Sequence, residues 1–273
     1  MVEKIELDNL PLRAPTKSGL ALPNWVPAPL RWRLVWWHQH LRVGFETLRR
    51  PIVTLGGVKV RLGRELSDNI RSAIIDGYYE SEELRCLQTK LGSQDCVMEI
   101  GAGIGLLSAY CAFTIGSDRV FSYEANPALE RIIRGNYELN GVSPVLNICA
   151  IGPAEGETDF YVAGDFLSSS IYRRDAKAVR VKIAMKALNA EIRQVNPTFL
   201  VMDIEGGEYE VFKHIDFHNI RKMALELHID ILGEARIAEI RLIIQKAGFK
   251  VDPSLSFHMP QVKEIVFVER FKP

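Results

Sequence analysis

The segment VMEIGAGIGLLS, residues Val97 to Ser108, indicates how the rest of the chain folds. It combines an apolar strand, an acid near the end of that strand, a glycine-rich turn and the start of an apolar helix. Glycines in such a turn let the backbone approach a ligand and let the helix pack close to the strand. The segment therefore predicts the first strand, turn and helix of a nucleotide-binding α/β domain.

The spacing of the glycines indicates which kind of nucleotide the turn can bind. A dinucleotide fingerprint reads G-x-G-x-x-G, whereas Gly101, Gly103 and Gly105 give G-x-G-x-G, with Leu106 where the fingerprint has glycine. Glu99 precedes the turn, and a carboxylate there would repel a pyrophosphate but attract an ammonium or sulfonium group. The segment thus favours S-adenosylmethionine, and it disfavours the alternative of a nicotinamide-dependent Rossmann oxidoreductase.

Strands and helices alternate after this segment, and this alternation predicts a parallel sheet with right-handed crossovers. We expect a Rossmann-like α/β fold, with a seven-stranded, mostly parallel sheet and helices on both faces. The predicted strands are 96–100, 119–123, 145–150, 199–203, 223–228, 249–252 and 264–269, and the predicted helices between them are 104–113, 127–140, 187–195, 208–215 and 234–247.

Acidic residues follow two of the predicted strands. Glu124 stands about 20 residues beyond the glycine turn, where an acid can accept hydrogen bonds from both ribose hydroxyls. Asp203 and Glu205 follow the fourth strand, and ligands of parallel sheets lie beyond the carboxyl ends of the strands. Capping of the next helix is an alternative role for Glu205 and Glu208, because acids favour the first turn of a helix.

The fifth strand ends in Glu226 and His228, which alternation places on one side of the sheet. His228 is a candidate general base near neutral pH, although a structural histidine is equally compatible with this position. His214 and His218 have a metal-like spacing of four residues but lack a third ligand nearby, so no metal site is predicted.

Five motifs together resemble the FkbM family of class I methyltransferases, and the resemblance extends over about residues 68–269. The most specific motif is MDIEGGEYEV, and the lead-in IDGYYE at 75–80 also fits the family. The five motifs are MEIGAGIG (98–105), YEANP (123–127), AIG (150–152), MDIEGGEYEV (202–211) and LELH (225–228).

The resemblance implies S-adenosylmethionine-dependent O-methylation, often of sugar hydroxyls in polyketide, glycolipid or polysaccharide products. It implies that Glu80 helps to close the cofactor site and that Ser168, Ser169 and Ser170 form a serine-bearing loop, for which an ordinary solvated loop is the alternative. The predicted cofactor site comprises Glu80, Glu99, Gly101, Ala102, Gly103, Gly105, Glu124, Ala125, Asn126, Cys149, Ala150, Ile151 and Asp203.

The predicted reaction needs a base for the proton of the acceptor alcohol. The candidates, in order of preference, are Glu205, His228 and Asp203, and the predicted acceptor contacts are Ser169, Ser170 and Glu226. We expect a small-molecule or glycan acceptor. No Asn- or Asp-Pro-Pro-aromatic tetrad follows the fourth strand, which disfavours methylation of amino groups on DNA bases.

The first part of the chain lies outside the resemblance. We predict an N-terminal extension at 1–67, with a Pro-rich arm, an amphipathic helix at 30–50 and a hairpin at 52–62, followed by the methyltransferase domain at 68–273. The helix is basic and Trp-rich. Docking on the domain or on a second subunit is the preferred hypothesis for it, and contact with an anionic membrane surface is the alternative. Its apolar stripe is Leu30, Leu34, Trp37, Leu41, Phe45 and Leu48.

Composition limits the compartment and the partners. The formal net charge is +0, so no global basic field exists to hold nucleic acid. The four cysteines are widely spaced without a CxxC pair, which favours core thiols in a reducing compartment, and we expect a cytoplasmic location, peripheral at the membrane if the helix at 30–50 binds lipid. A non-catalytic, membrane-peripheral cofactor-binding protein is the remaining alternative function.

Overall fold

The computed structural model of the chain describes residues 27–163, 169–170 and 176–270. The predicted Pro-rich arm falls almost entirely on 1–26 and lies outside the described residues. The helices are α1 (Ala28–Arg49), α2 (Asp68–Ile75), α3 (Ser81–Lys90), α4 (Leu106–Ile115), α5 (Glu130–Asn140), α6 (Leu188–Val195), α7 (Glu208–His214), α8 (Ile229–Leu232) and α9 (Glu234–Lys246).

The strands form three sheets: a two-stranded hairpin, a large central sheet and a small three-stranded sheet. They are β1 (Ile52–Leu55), β2 (Val58–Arg61), β3 (Val97–Ile100), β4 (Val120–Glu124), β5 (Val145–Ile148), β6 (Ala150–Gly152), β7 (Gly156–Val162), β8 (Val179–Ala187), β9 (Phe199–Met202), β10 (Lys222–His228), β11 (Lys250–Val251), β12 (Phe257–Met259) and β13 (Lys263–Glu269).

The central sheet has the order β11-β13-β10-β9-β3-β4-β5, and β12 adds a short eighth strand on β13. The strands from β10 to β5 are parallel, whereas β13 is antiparallel to β10, β11 and β12. The predicted Rossmann-like fold is confirmed. From β3 the chain adds β4 and β5 on one side of the sheet, and then returns to add β9 and β10 on the other side. The carboxyl ends of the parallel strands at such a switch point form a ligand crevice.

The third predicted strand, 145–150, is divided in the structure. β5 stays in the central sheet, and after Cys149 the chain continues as β6, which pairs with β8 in the small sheet. β7 and β8 form a long antiparallel pair in the stretch between β6 and α6. The small sheet therefore stands beside the carboxyl ends of the central strands.

Side chains alternate across the central sheet and fill a core on each face. On one face, Val97 and Val201 pack with α2, α3, α4 and α5. On the other face, Met98, Ile100 and Met202 pack with α6, α7 and α9. Because alternation assigns neighbouring residues to opposite faces, Glu99 lies on the α4 side and Ile100 on the other.

The hairpin shares the first of these cores. Leu55, Val58 and Val60 are buried in it, and Asn136 and Asn140 of α5 accept hydrogen bonds from backbone N–H groups of β2. The division of the chain into an extension and a domain at residue 67 stays a prediction.

Helix α1 packs on α2 through one face. Val43 is fully buried, His40 pairs with Asp68 at 3.0 Å, and Arg42 binds Asp76 at 2.7 Å. The six apolar residues of the predicted stripe lie on another face and are all exposed, from 40% for Leu34 to 78% for Leu48. None of the described helices is both long enough and apolar enough to cross a membrane.

Candidate active site

A cavity of about 340 Å³ opens at the carboxyl ends of β3, β4 and β9. Its volume is typical of small-molecule sites. It brings together most of the residues that the sequence predicts for the site. Those that line it are Glu80, Gly101, Gly103, Glu124, Ala125, Asn126, Cys149, Ala150, Ile151, Ser169, Asp203 and Glu205.

The glycine turn forms one wall of the cavity. Gly101 has a φ of +91°, and a Cβ atom there would lie 1.7 Å from the carbonyl oxygen of Asp203. Gly103 has a φ of +55°, and a Cβ atom there would lie 2.7 Å from the hydroxyl of Tyr79. Both positions need glycine because the loops after β3 and β9 and the segment before α3 approach each other here.

Gly105 and Ala102 do not line the cavity, and their assignment to the cofactor site stays a prediction. A Cβ atom on Gly105 would come within 2.9 Å of Ile133 and Tyr137, so this glycine lets α4 pack against α5. Ala102 is buried at 1% exposure. The early third glycine thus allows α4 and α5 to pack closely.

Glu99 is also outside the cavity, contrary to the expectation that it holds a cationic part of the ligand. Its carboxylate accepts hydrogen bonds from the backbone N–H of Ser108 at 3.1 Å and from the hydroxyl of Ser122. Burial raises the pKa of Glu99 to about 7, although both hydrogen bonds oppose this effect. The residue secures the first turn of α4 to the sheet, because the pleat of β3 turns it away from the crevice.

Glu124 ends β4 and faces the cavity, as expected for a ribose-binding acid. Its carboxylate accepts hydrogen bonds from the backbone N–H groups of Gly103 at 2.9 Å and Asn126 at 2.7 Å. Burial raises its pKa to about 7, against the lowering effect of these bonds. Each oxygen can accept a second hydrogen bond, so the backbone fixes the carboxylate while leaving capacity for two hydroxyls.

Glu80 lines the cavity beside the glycine turn, since a Cβ atom on Gly103 would lie 3.0 Å from its Oε1 atom. It precedes α3 in a left-handed conformation, with a φ of 49°, and the helix begins at Ser81 without a side-chain cap. Its Oε2 atom is buried and has no hydrogen-bond partner among the described residues. Burial, and then the charges of Glu99 and Glu83, raise its pKa well above the ordinary range. An ammonium group of a ligand would satisfy this oxygen.

An apolar slot forms the part of the cavity next to the small sheet. Cys149, Ala150 and Ile151 contribute the predicted edge, and Phe160 and Met185 from the small sheet line the same cavity. The sequence did not identify Phe160 or Met185, because they lie in β7 and β8, whose pairing is not local. Apolar and aromatic surfaces are suited to the face of a purine ring.

The serine loop reaches the site in part. Ser169 lines the cavity and accepts a hydrogen bond from the backbone N–H of Ala163 at 3.0 Å. Ser170 does not line it. Its hydroxyl donates to the backbone oxygen of Glu205 at 2.7 Å, so it holds the loop after β9. Ser168 lies outside the described residues.

A cluster of charged side chains continues from the cavity into the protein. Nε2 of His228 lies 3.2 Å from Glu226, 3.5 Å from Glu205 and 3.8 Å from Asp203. Its Nδ1 contacts Glu208 at 2.6 Å. Glu226 and His228 therefore lie behind the cavity wall that Asp203 and Glu205 form.

The electrostatics of this cluster argue against His228 as a general base. Burial lowers the pKa of His228, but hydrogen bonds to Glu208 and Glu226 and the charge of Asp203 outweigh it and raise the pKa to about 12. The imidazole is therefore protonated at neutral pH and cannot accept a proton there.

Three further residues of the cluster were not assigned to the site from the sequence. Glu208 is fully buried, Glu83 is 3% exposed, and Lys263 of β13 contacts Glu226 at 2.6 Å. Burial raises the pKa of Glu226, yet its hydrogen bond to His228 and the charge of Lys263 lower it to about 2. These partners come from α3, α7 and β13, and only the folded chain brings them together.

The residues around the cavity fit S-adenosylmethionine. The orphaned oxygen of Glu80 suits its ammonium group, the fixed carboxylate of Glu124 suits its ribose, and the slot around Ile151 suits its adenine. Glu80 and Glu205 both have positive φ angles, of 49° and 48°, and strained residues of this kind cluster at functional sites.

Known structures with similar folds include several methyltransferases at low sequence identity. TYW2 of M. jannaschii with AdoMet is 15% identical, covering 81% of this chain and 86% of that one, with a TM-score of 0.42. The precorrin-6y C5,15-methyltransferase of Geobacter metallireducens is 14% identical, covering 70% and 88%, with a TM-score of 0.44. A comparison with curated proteins finds no match.

The sequence also matches a family model. The model described as the Methyltransferase FkbM domain matches residues 95–251, which is more than half of the chain. The matched range contains the glycine turn, Glu124 and the segment from Asp203 to His228.

Proposed function

This chain belongs to the FkbM methyltransferase family and uses S-adenosylmethionine, and we propose that it methylates a hydroxyl oxygen of a sugar, glycolipid or related natural product. The observation that carries the proposal is the pair of carboxyl groups, Asp203 and Glu205, which line the cavity directly after β9. A carboxylate can accept the proton that an alcohol loses when its oxygen is methylated.

The residues proposed to hold the cofactor are those whose contacts fit it. Glu124 would accept hydrogen bonds from the ribose, Glu80 would bind the ammonium group, and Cys149, Ala150 and Ile151 would border the adenine. When bound, S-adenosylmethionine supplies an electrophilic methyl group on a positively charged sulfur. Glu99 lies outside this set, since its carboxylate is bonded to Ser108 and Ser122.

We assign the general base to Glu205. It faces the cavity, and its backbone oxygen is held by the hydroxyl of Ser170. Nε2 of His228 lies 3.5 Å from its Oε2 and orients the side chain. Ser169 also lines the cavity, and we propose that it orients the acceptor hydroxyl. Positioning of this kind supplies much of the rate of a group transfer, because the reacting atoms are already aligned.

The experiment supplies methyl-labelled S-adenosylmethionine and a panel of hydroxylated acceptors, and locates the transferred methyl group by mass spectrometry and NMR. We expect the label on oxygen. Glu205→Gln should lower kcat by about 10²- to 10⁴-fold, the range for loss of a general base, with unchanged binding of S-adenosylhomocysteine. Glu234→Gln, at an exposed position of α9, is the matched control. A label on nitrogen or carbon, or full activity of Glu205→Gln, would contradict the proposal.

We further propose that α1 attaches the enzyme to an anionic lipid surface. The six-residue apolar stripe is exposed, from 40% for Leu34 to 78% for Leu48. Two arginines at the end of the helix, Arg49 and Arg50, are 58% and 60% exposed, and Glu46 is the only acid in the helix. An exposed apolar face beside basic residues has the chemistry that binds anionic membranes.

A further inference from the structure

Nε2 of His228 points into a group of oxygen atoms. It lies 3.2 Å from Glu226, 3.5 Å from Glu205 and 3.8 Å from Asp203. One ligand atom from each of Asp203, Glu226 and His228 can be chosen so that all three lie within 4.8 Å of one another. This is the separation expected of atoms that bind one ion at about 2.0–2.6 Å.

A buried glutamate fixes the direction of the imidazole. Nδ1 of His228 contacts Oε1 of Glu208 at 2.6 Å, and Glu208 has no exposed surface. The same oxygen accepts a hydrogen bond from the backbone N–H of Gly206 at 3.2 Å. Histidines that ligate metals characteristically have their second nitrogen bonded to a carboxylate, which fixes the tautomer and the ring orientation.

The buried oxygens of the cluster are not fully satisfied by the protein. Oε1 of Glu83 and Oε2 of Glu208 are buried and accept no hydrogen bond from any residue in the described part of the chain. Glu83 is 3% exposed and adjoins Glu226. Five carboxyl groups, those of Glu83, Asp203, Glu205, Glu208 and Glu226, share two cationic side chains, those of His228 and Lys263.

We propose that Asp203, Glu226 and His228 bind a divalent cation of the Mn²⁺ or Mg²⁺ class at the inner wall of the cavity. Carboxylate oxygens with a single imidazole favour such hard cations, whereas a thiolate-free set of this kind is poorly suited to soft metals. The cation would lie between Nε2 of His228 and the carboxyl oxygens of Asp203 and Glu226, and it would add positive charge beside a group of five carboxyl side chains. Asp203 lines the cavity, so the ion borders the space for the acceptor.

This site differs from the pair His214 and His218 that the sequence drew attention to. His214 is 43% exposed and lies 3.9 Å from Glu210, and His218 is exposed on a turn. Among the described residues these two histidines form no group of metal-binding size, whereas His228 does. The sequence-based expectation of no metal site took no account of residues that meet only in the fold.

The rival explanation is that Lys263 and bound protons alone neutralise the negative charge of the carboxyl groups in the cluster. Lys263 contacts Glu226 at 2.6 Å, and burial, then the charge of Glu226, raise the pKa of Asp203 well above its ordinary range. In that case the full-length protein would show no stoichiometric affinity for a divalent cation.

The test is Mn²⁺ binding by the metal-stripped full-length protein, followed by the loss of the EPR signal of free Mn²⁺. We expect one ion bound per chain, in competition with Mg²⁺, without cofactor or acceptor present. Asp203→Asn, at a half-buried position, should weaken binding at least about 10-fold, and Glu208→Gln should weaken it about 10- to 100-fold through the orientation of His228.

His214→Gln is the matched control, because it removes an exposed imidazole of α7, and it should leave Mn²⁺ affinity unchanged. Circular dichroism establishes that each variant is folded, and Glu226→Gln gives a second ligand variant should one fail. Binding of no ion, or binding that Asp203→Asn and Glu226→Gln both leave unchanged, would overturn the proposal. Since the readout needs no methyl transfer, its failure leaves the proposed O-methylation standing.

Discussion

The carboxyl group of Glu99 is enclosed between β4 and α4, where its hydrogen bonds only partly replace the water it loses. Burial therefore raises its pKa from 4.5 to about 7. A carboxyl group with a raised pKa in the folded state contributes stability that is present below about pH 4.5 and lost as the pH rises to about 7.

We predict that Glu99→Gln reverses this loss. The amide can accept from Ser108 and donate to Ser122 without carrying charge. The difference in unfolding free energy between the variant and the unsubstituted protein should increase by about 3 kcal/mol between pH 4.5 and pH 7.5, since each unit of pKa shift corresponds to about 1.36 kcal/mol. Urea unfolding at both pH values measures it, and a difference that stays constant with pH would contradict the predicted ionisation.

At the scale of the element, a glycine in a turn and a glycine in a helix differ in whether the structure requires them. Gly101 has a positive φ and no room for a side chain, whereas Gly135 lies within α5 with no atom near the place of a Cβ. Only the first is required by the structure, because the turn after β3 meets the loop after β9.

We predict opposite effects of alanine at these positions. Gly135→Ala should raise the unfolding free energy by about 0.5–1 kcal/mol through helix propensity. Gly101→Ala should lower it by at least about 2 kcal/mol, since it adds backbone strain and a collision with the Asp203 carbonyl. Urea unfolding of the two variants is the comparison, and equal effects would exclude the close approach of the two loops.

Helix α1 has one buried face and one exposed apolar face. We predict that the double variant Leu41→Glu and Phe45→Glu folds normally, since these side chains are 67% and 64% exposed, but loses co-sedimentation with anionic vesicles. Val43→Glu is the control for the packed face, and it should destabilise the protein by several kcal/mol, because it buries a charge.

The outcome of this experiment shows whether a lipid surface or a second copy of the chain binds the exposed face of α1. Sedimentation that is unchanged in the double variant would overturn the lipid proposal. A change from dimer to monomer in the same variant, measured by light scattering, would assign the face to a second copy of the chain.

At the scale of the whole molecule, the ligand should stabilise the fold because its cavity joins β3, β4 and β9 to the small sheet and α3. We predict that S-adenosylhomocysteine at 100 times its Kd raises the unfolding free energy by about 2.7 kcal/mol. NAD should not stabilise the fold, since the chain lacks the glycine spacing of a dinucleotide-binding fingerprint and matches a methyltransferase family model.

The Glu124→Ala variant should need about 10- to 100-fold higher concentrations of S-adenosylhomocysteine for the same stabilisation, because the ribose hydroxyls lose their hydrogen bonds to the carboxylate. Glu130→Gln, which removes an exposed charge from α5, is the matched control. Thermal unfolding across a ligand series measures both. Equal ligand dependence of the two variants would remove Glu124 from the ribose site.

The sequence by itself determined the features that depend on local pattern and chain order. Alternating strands and helices defined the parallel sheet, and the acids directly after strands, Glu124, Asp203 and Glu205, were placed at its carboxyl edge, since parallel strands end on one side. The motif from Met202 to Val211 indicated the family.

Only the tertiary structure decided which of these side chains meet. The pleat of β3 turns Glu99 away from the cavity, and the close packing of α4 against α5 leaves no room for a side chain at Gly105. The slot with Phe160 and the cluster with Glu208 and Lys263 depend on strands and helices that are distant in sequence. Such contacts follow from sheet register and burial, which a linear pattern does not contain.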